Sequence, residues 1–293
     1  MAQGFLIIDK PAGISSHGVV NRVRRILGVK RVGHTGTLDP FATGVLPIAV
    51  GEATKAIPFL DEGIKEYTAE ILFGTVTDTL DITGTVLSKT ADVSLNRSYL
   101  LAQMKTLTGT ISQIPPMFSA IKQGGQPLYK LARKGVAVER KSREVTIFSF
   151  ELLDLQQQIA TVQISCSRGT YIRSLADDLG KAAGCGACLT SLKRTRSGSF
   201  LLQDAITLEN LEATAGAGQA TEIFLDTSKA LGHLPEIVLD DQQSAMVSNG
   251  RLPVFADHKK PSRLTFMGRL LAVTGFNQDN ALVLKRVFNQ NIT

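Results

Sequence analysis

Cysteine is scarce in this chain: Cys166, Cys185 and Cys188 are the three in 293 residues. An odd and small number, with no secretory signal ahead of it, argues against a disulfide framework and for a reducing compartment. No run of about 18 apolar residues occurs, so there is no candidate membrane helix. Nothing near the N-terminus has the build of a targeting segment. The expected location is cytoplasmic. Metal-binding patterns are equally thin. Cys185-Gly-Ala-Cys188 offers half of a tetrahedral zinc site, but only Cys166 and the scattered His17, His34, His233 and His258 remain to complete it. There is no Walker A sequence, no convincing dinucleotide fingerprint and no Ser or Cys triad that the spacing supports. Neither a metal nor a cofactor is expected, and carboxylate chemistry is what remains.

The length exceeds the roughly 100–200 residues of one domain, which allows a large domain and a small one. Hydrophobic residues are 43% and charged residues 20%, ordinary for a chain that buries a sizeable core. Thirty-two Lys and Arg against 26 Asp and Glu leave +6, a balance that favours polyanionic partners. Phe5–Ile8 reads as a buried strand stopped by Asp9-Lys10-Pro11-Ala12-Gly13. Ser16 then reads as the N-cap of an amphipathic helix that Gly28 ends, with Val19, Val20, Val23, Ile26 and Leu27 at helical spacing. Residues 32–47 carry three glycines and two prolines without sustained periodicity and predict a structured loop. Strands are expected at 67–73, 145–154 and 158–166, and helices at 95–107 and 171–183. Such mixing without strict βαβ order predicts an α+β domain around a mixed sheet.

Residues 115–144 hold seven Lys or Arg and two Glu, with Phe118 and Tyr129 among them. A long basic insertion of this kind reads either as a binding arm or as a solvated surface loop. Residues 204–230 turn acidic and rich in Ala, Gly and Thr, which predicts a linker and a boundary near 228. Beyond it, 236–239, 252–255, 263–267, 270–276 and 281–288 read as short strands of a small all-β barrel. The expected domains are therefore 1–228 and 229–293.

Asp39 is the carboxylate to weigh. Followed by Pro40, it has the pattern of a helix N-cap. Its neighbours point elsewhere: Gly33, Gly36 and Gly44 permit close backbone approach, and His34, Thr35 and Thr37 supply donors without bulk. Arg173, in Ser167-Arg-Gly-Thr-Tyr-Ile-Arg173, stands at a strand-to-helix transition and is suited to hold such a carboxylate ionised.

Gly33-His-Thr-Gly-Thr-Leu-Asp39-Pro-Phe-Ala-Thr-Gly44 resembles the catalytic signature of the TruB family of pseudouridine synthases. Lys10-Pro11, Lys65-Glu-Tyr67, Thr77-Asp-Thr-Leu-Asp81, Ser119-Ala120, Leu128-Tyr129, Gly169-Thr-Tyr171-Ile-Arg173 and Asp178-Leu-Gly180 follow in the family's order across residues 5–200. Departures are Phe118, where a tyrosine is usual, and Lys193, where the first of two arginines is expected.

The resemblance implies an isomerase that turns uridine-55 in the T loop of tRNA into pseudouridine, consuming no cofactor, on a pseudouridine synthase fold with a PUA-like C-terminal domain. It implies Asp39 as nucleophile or charge partner at the ribose, Tyr67 stacked on the flipped base and Arg173 paired with Asp39. Leu192 would pack under the uracil, His34 would fill the space left by flipped nucleotides, and Tyr171 and Lys10 would line the site. The insertion becomes an RNA-binding thumb whose Lys122, Lys130, Arg133 and Arg140 meet phosphates of the T stem-loop. The C-terminal domain is expected on the acceptor stem. A tRNA-folding chaperone role can accompany catalysis. Two other classes compete: a noncatalytic tRNA-binding protein, against which Asp39, Tyr67 and Arg173 together argue, and a hydrolase pairing Asp39 with Asp78 or Asp81, which leaves the basic insertion unexplained.

Overall fold

A computed structural model describes residues 3–61, 63–136, 138–255 and 260–288. The strands, in chain order, are Gly4–Lys10 (β1), Val32–His34 (β2), Thr43–Val50 (β3), Ile64–Phe73 (β4), Thr75–Thr77 (β5), Val86–Lys89 (β6), Gly109–Gln113 (β7), Lys122–Gln123 (β8), Gln126–Pro127 (β9), Arg143–Gln156 (β10), Ile159–Ser167 (β11), Ala187–Ser197 (β12), Phe200–Leu201 (β13), Glu236–Val238 (β14), Arg263–Phe266 (β15), Arg269–Phe276 (β16) and Leu282–Val287 (β17). The helices are Ser16–Leu27 (α1), Arg97–Thr106 (α2), Leu128–Ala132 (α3), Ile172–Ala182 (α4), Leu208–Gly216 (α5), Thr227–Ala230 (α6) and Asp241–Ser248 (α7).

Nine strands form one mixed sheet in the order β1-β3-β12-β4-β11-β10-β7, with β13 on β12 and β2 on β3. Only the β12–β3 junction is parallel among these pairings. The alternation expected of β4 and β11 is borne out: Lys65, Tyr67, Ala69, Ile71 and Phe73 are buried on one face of β4, and Ala160, Val162, Ile164 and Cys166 on one face of β11. Burying alternate residues leaves the other face polar, which is why the pattern could be read. α1 and α4 pack on the core side through Val19, Val20, Val23, Ile172, Leu175 and Leu179. Among the described residues no helix is long and apolar enough to cross a membrane.

The N-cap of α1 is Ser15, not Ser16; its hydroxyl accepts from the Gly18 N–H at 3.0 Å. Ser16 faces inward instead, and the two serines are equivalent to any local capping rule. Residues 32–47 are a loop only at their centre, because Val32–His34 and Thr43–Val50 pair with each other. The 204–230 stretch is a folded segment and not a linker: α5 takes up Ala213–Gly216, consistent with alanine's helix propensity, and puts Leu208 and Leu211 in the core.

Where a small all-β barrel is expected, β14, β15, β16 and β17 form a four-stranded sheet. Residues 252–255 do not join it; Pro253 lacks the N–H that a ladder needs. A helix, α7, stands in this region, started by a capping box between Asp240 and Gln243. Leu270, Val273 and Phe288 share a buried cluster with Phe5, Ile7, Val45, Ala49, Ala230 and Leu231, so the C-terminal sheet packs on the outer face of β1 and β3.

Candidate active site

Asp39 lies in the turn between β2 and β3. It caps no helix; the chain closes through the Ala42 N–H donating to the Asp39 carbonyl at 3.1 Å and enters β3 at Thr43. Both flanks of the residue are pinned. The buried Ser16 hydroxyl accepts from the Leu38 N–H at 2.8 Å and donates to the Leu38 carbonyl at 2.9 Å. The Pro40 carbonyl accepts from the Gly13 N–H at 2.8 Å and from the Lys10 ammonium at 3.2 Å. Lys10 is fully buried and also donates to the carbonyls of Pro11 (2.9 Å) and Ile14 (2.8 Å). Its three N–H donors thus tie the turn at 11–14 to the Asp39 loop. Burial lowers its pKa to about 8, with Asp39 pulling it up and Arg194 pushing it further down.

Arg194 supports the same loop from beneath. Fully buried in β12, it donates to the carbonyls of Val45 (2.7 Å), Gly36 (3.3 Å) and Thr37 (3.4 Å). Gly44 owes its identity to this neighbour: at φ +95°, a Cβ there would stand 2.2 Å from the Arg194 carbonyl oxygen. The close approach that this glycine permits is strand against strand.

The Asp39 carboxylate meets Arg173, the second residue of α4, side by side. Nε stands 2.9 Å from Oδ2, and Nη2 donates to Oδ1 at 3.1 Å. Arg173 is 3% exposed, and its remaining donors reach the carbonyls of Thr79 and Phe118, each at 2.7 Å. Asp81 lies 3.5 Å from Nη1, itself buried and accepting from the hydroxyls of Thr79 and Thr83 and the Thr83 N–H. One guanidinium therefore serves two carboxylates. Burial pushes the Asp39 carboxyl above its ordinary range; Arg173 pulls it down, Asp81 adds to the rise, and Lys10 pulls down again.

Tyr67 on β4 and Leu192 on β12 come from paired strands and line, with Asp39, Arg173, Tyr171 and Ser119, a cavity of about 100 Å³. Burial raises the Tyr67 hydroxyl pKa, while a hydrogen bond and the charge of Arg194 act the other way. The cavity's lining sets an aromatic ring, an aliphatic side chain and a carboxylate around one space. It adjoins a wider cleft walled by His17, His34, Phe118, Tyr129 and Arg133. His34 ends β2; burial first, then His17 and Arg194, lowers its pKa, which favours the neutral ring.

The site residues expected from sequence thus fall into three groups. Asp39, Tyr67, Arg173, Tyr171 and Leu192 share the cavity. His34 and Arg133 stand on the cleft, and Lys10 lies under the loop. Lys122 and Lys130 are exposed on the insertion, away from the cavity, and Arg140 is half-buried, donating to the Pro115 carbonyl at 3.0 Å. Sequence reasoning gives Ser16 only as a helix cap, Asp81 only within a family motif and as a hydrolase partner, and neither Arg194 nor Gln113 as a site residue. Their partners are distant in the chain, and no local signal announces them. Cys188 is buried in β12 and Cys185 half-buried before it, and His258 lies outside the described residues. Among the described residues no three His, Cys, Asp or Glu side chains converge as a metal site.

Comparison with known proteins places the chain beside pseudouridine synthases. The model described as TruB family pseudouridylate synthase (N terminal domain) matches residues 24–172, and the one described as tRNA pseudouridylate synthase B C-terminal domain matches residues 173–231. A protein of Geotalea uraniireducens (strain Rf4) named tRNA pseudouridine synthase B is 48% identical over 98% of this chain and 97% of its own. One of the same name from Geobacillus thermodenitrificans (strain NG80-2) is 41% identical over 96% and 94%. Among solved structures, a Cbf5-Nop10-Gar1 complex contains a chain with TM-score 0.74 and 27% identity, covering 98% of this chain and 85% of that one.

Proposed function

The chain belongs to the TruB family of pseudouridylate synthases, and on that premise we propose that it converts uridine-55, in the T loop of tRNA, with Asp39 as the carboxylate that meets the ribose. It is an isomerase that forms pseudouridine in tRNA. The observation that carries the finer reading is the Asp39 carboxylate, paired side by side with Arg173 at the edge of the cavity that Tyr67 and Leu192 line.

A base inside a stacked loop cannot reach such a cavity, so the nucleotide is extruded first. The N1–C1′ bond then breaks, uracil turns while held between Tyr67 and Leu192, and C5 bonds to C1′. The C5 proton leaves and N1 takes up a proton, so nothing is consumed. Attack by Asp39 at C1′ and passage through a glycal both develop positive charge at the anomeric carbon, which the carboxylate stabilises. Arg173 keeps that carboxylate ionised and aimed. The exposed Lys122, Lys130 and Arg133 suit the insertion to the phosphates of the T stem-loop. Residues 229–293 act as a PUA-like domain on the acceptor stem, and opening the tRNA elbow to reach the base gives misfolded tRNA a route to refold. A cytoplasmic enzyme fits that substrate.

The position is tested with an unmodified tRNA transcript, mapped by carbodiimide treatment and primer extension after incubation with the enzyme. A single stop at the T-loop uridine is expected. Stops only at other uridines overturn the assigned target.

A further inference from the structure

α4 begins without a cap of its own. Tyr171 occupies its N-cap position, and no side chain of that residue serves the helix N-terminus. Ser, Thr, Asp or Asn normally stands there, and forgoing them costs about 1 kcal/mol. The missing support comes from 58 residues away: the Gln113 side chain accepts from the Tyr171 N–H at 2.8 Å and donates through Nε2 to the Tyr171 carbonyl at 3.0 Å. Gln113 is the last residue of β7, fully buried, and the point where the chain leaves the sheet for the basic insertion.

Its cross-strand partner is Arg143, where the chain returns. Arg143 lies over the Tyr171 ring, 4.7 Å from its centroid, and donates to the Gly169 carbonyl. The Ile114 carbonyl accepts from the Ser174 hydroxyl at 3.0 Å, and Phe118, within the insertion, gives its carbonyl to Arg173. Both roots of the insertion therefore grip 169–174, the segment that presents Tyr171 and Arg173 to the cavity.

We infer that Gln113 is a positioning residue for the reaction: its amide fixes the backbone of Tyr171 and, through the first turn of α4, the aim of the Arg173 fork at Asp39. This rests on Asp39, Arg173 and Tyr171 forming the site proposed above. A two-point amide clamp removes sliding and rotation of the segment, which a single hydrogen bond does not.

The test measures single-turnover rates at saturating enzyme on unmodified tRNA for wild type, Gln113→Met, Gln113→Glu, Arg173→Lys and Gln113→Met with Arg173→Lys, below the unfolding transition of each. Gln113→Met is expected to lower the rate ~10- to 100-fold, the cost of about 1 Å of misplacement, with tRNA affinity by filter binding little changed. Gln113→Glu, which keeps the acceptor for the Tyr171 N–H, should fall between. With Arg173→Lys already present, the Gln113→Met loss should largely vanish, a non-additivity that mere destabilisation does not produce. An unchanged rate in Gln113→Met, or the same fold-loss in both backgrounds, overturns the inference while leaving the site intact. Full turnover in Arg173→Lys alone overturns the site itself.

Discussion

Asp39 and Arg173 stand 134 residues apart in the chain, yet each carboxylate oxygen faces a separate guanidinium nitrogen. In the proposed reaction Asp39 acts in its ionised form, and burial raises its pKa against the pull of Arg173. Turnover is therefore present above that pKa and lost as pH falls through it, so the acid limb should lie above the roughly 4 of an ordinary carboxyl. A single-turnover pH profile checks this, and a limb at or below pH ~4 contradicts it. The pair was legible because both residues sit in dense motifs that resemble a known family. Charge pattern alone left Asp39-Pro40 equally suited to a helix cap. Ser16 and Arg194 were not legible as site residues, since their partners Leu38, Gly36 and Thr37 lie 22, 158 and 157 residues away. Tertiary contact, not local preference, assigns them.

Among the elements, β12 does most to place the site. It pairs antiparallel with β4, which sets Arg194 beside Tyr67, and parallel with β3, which sets Arg194 beside Gly44. A side chain at position 44 meets the Arg194 backbone and must also hold φ near +95°. Gly44→Ala should cost roughly 2–4 kcal/mol, the sum of a left-handed backbone penalty and overpacking. Urea unfolding measures it, and a loss under about 0.5 kcal/mol would mean that β3 and β12 separate freely. Strands such as β4 and β11 were readable from alternation because one face of each is buried. The loop at 32–47 was misjudged because β2 and the start of β3 are short and glycine-broken. The insertion is governed by charge: Lys130→Ala should lower the slope of log affinity against log salt by about 1 and leave the rate at saturation unchanged. An unaltered slope would place the phosphates elsewhere.

At the scale of the whole molecule, the carboxylate pair opens to one side of the nine-stranded sheet, and the C-terminal sheet closes the other. Phe5, Val45 and Ala49 share one buried cluster with Leu270, Val273 and Phe288, so the second sheet also backs the strands that flank the Asp39 loop. That shared core could not be read from sequence, where residues 204–230 looked like a linker and their helices were hidden in an alanine-rich stretch. On the proposed function, basic charge, the insertion and the carboxylate cavity serve one reaction centred on Asp39. The most direct measurement uses tRNA transcript carrying tritium at C5 of uridine, incubated with wild type and with Asp39→Ala without added cofactor. Wild type should release tritium from the T-loop position, and Asp39→Ala should release none while binding tRNA within about threefold of wild type, because phosphate contacts dominate affinity. Release by Asp39→Ala at a rate comparable to wild type would contradict the account.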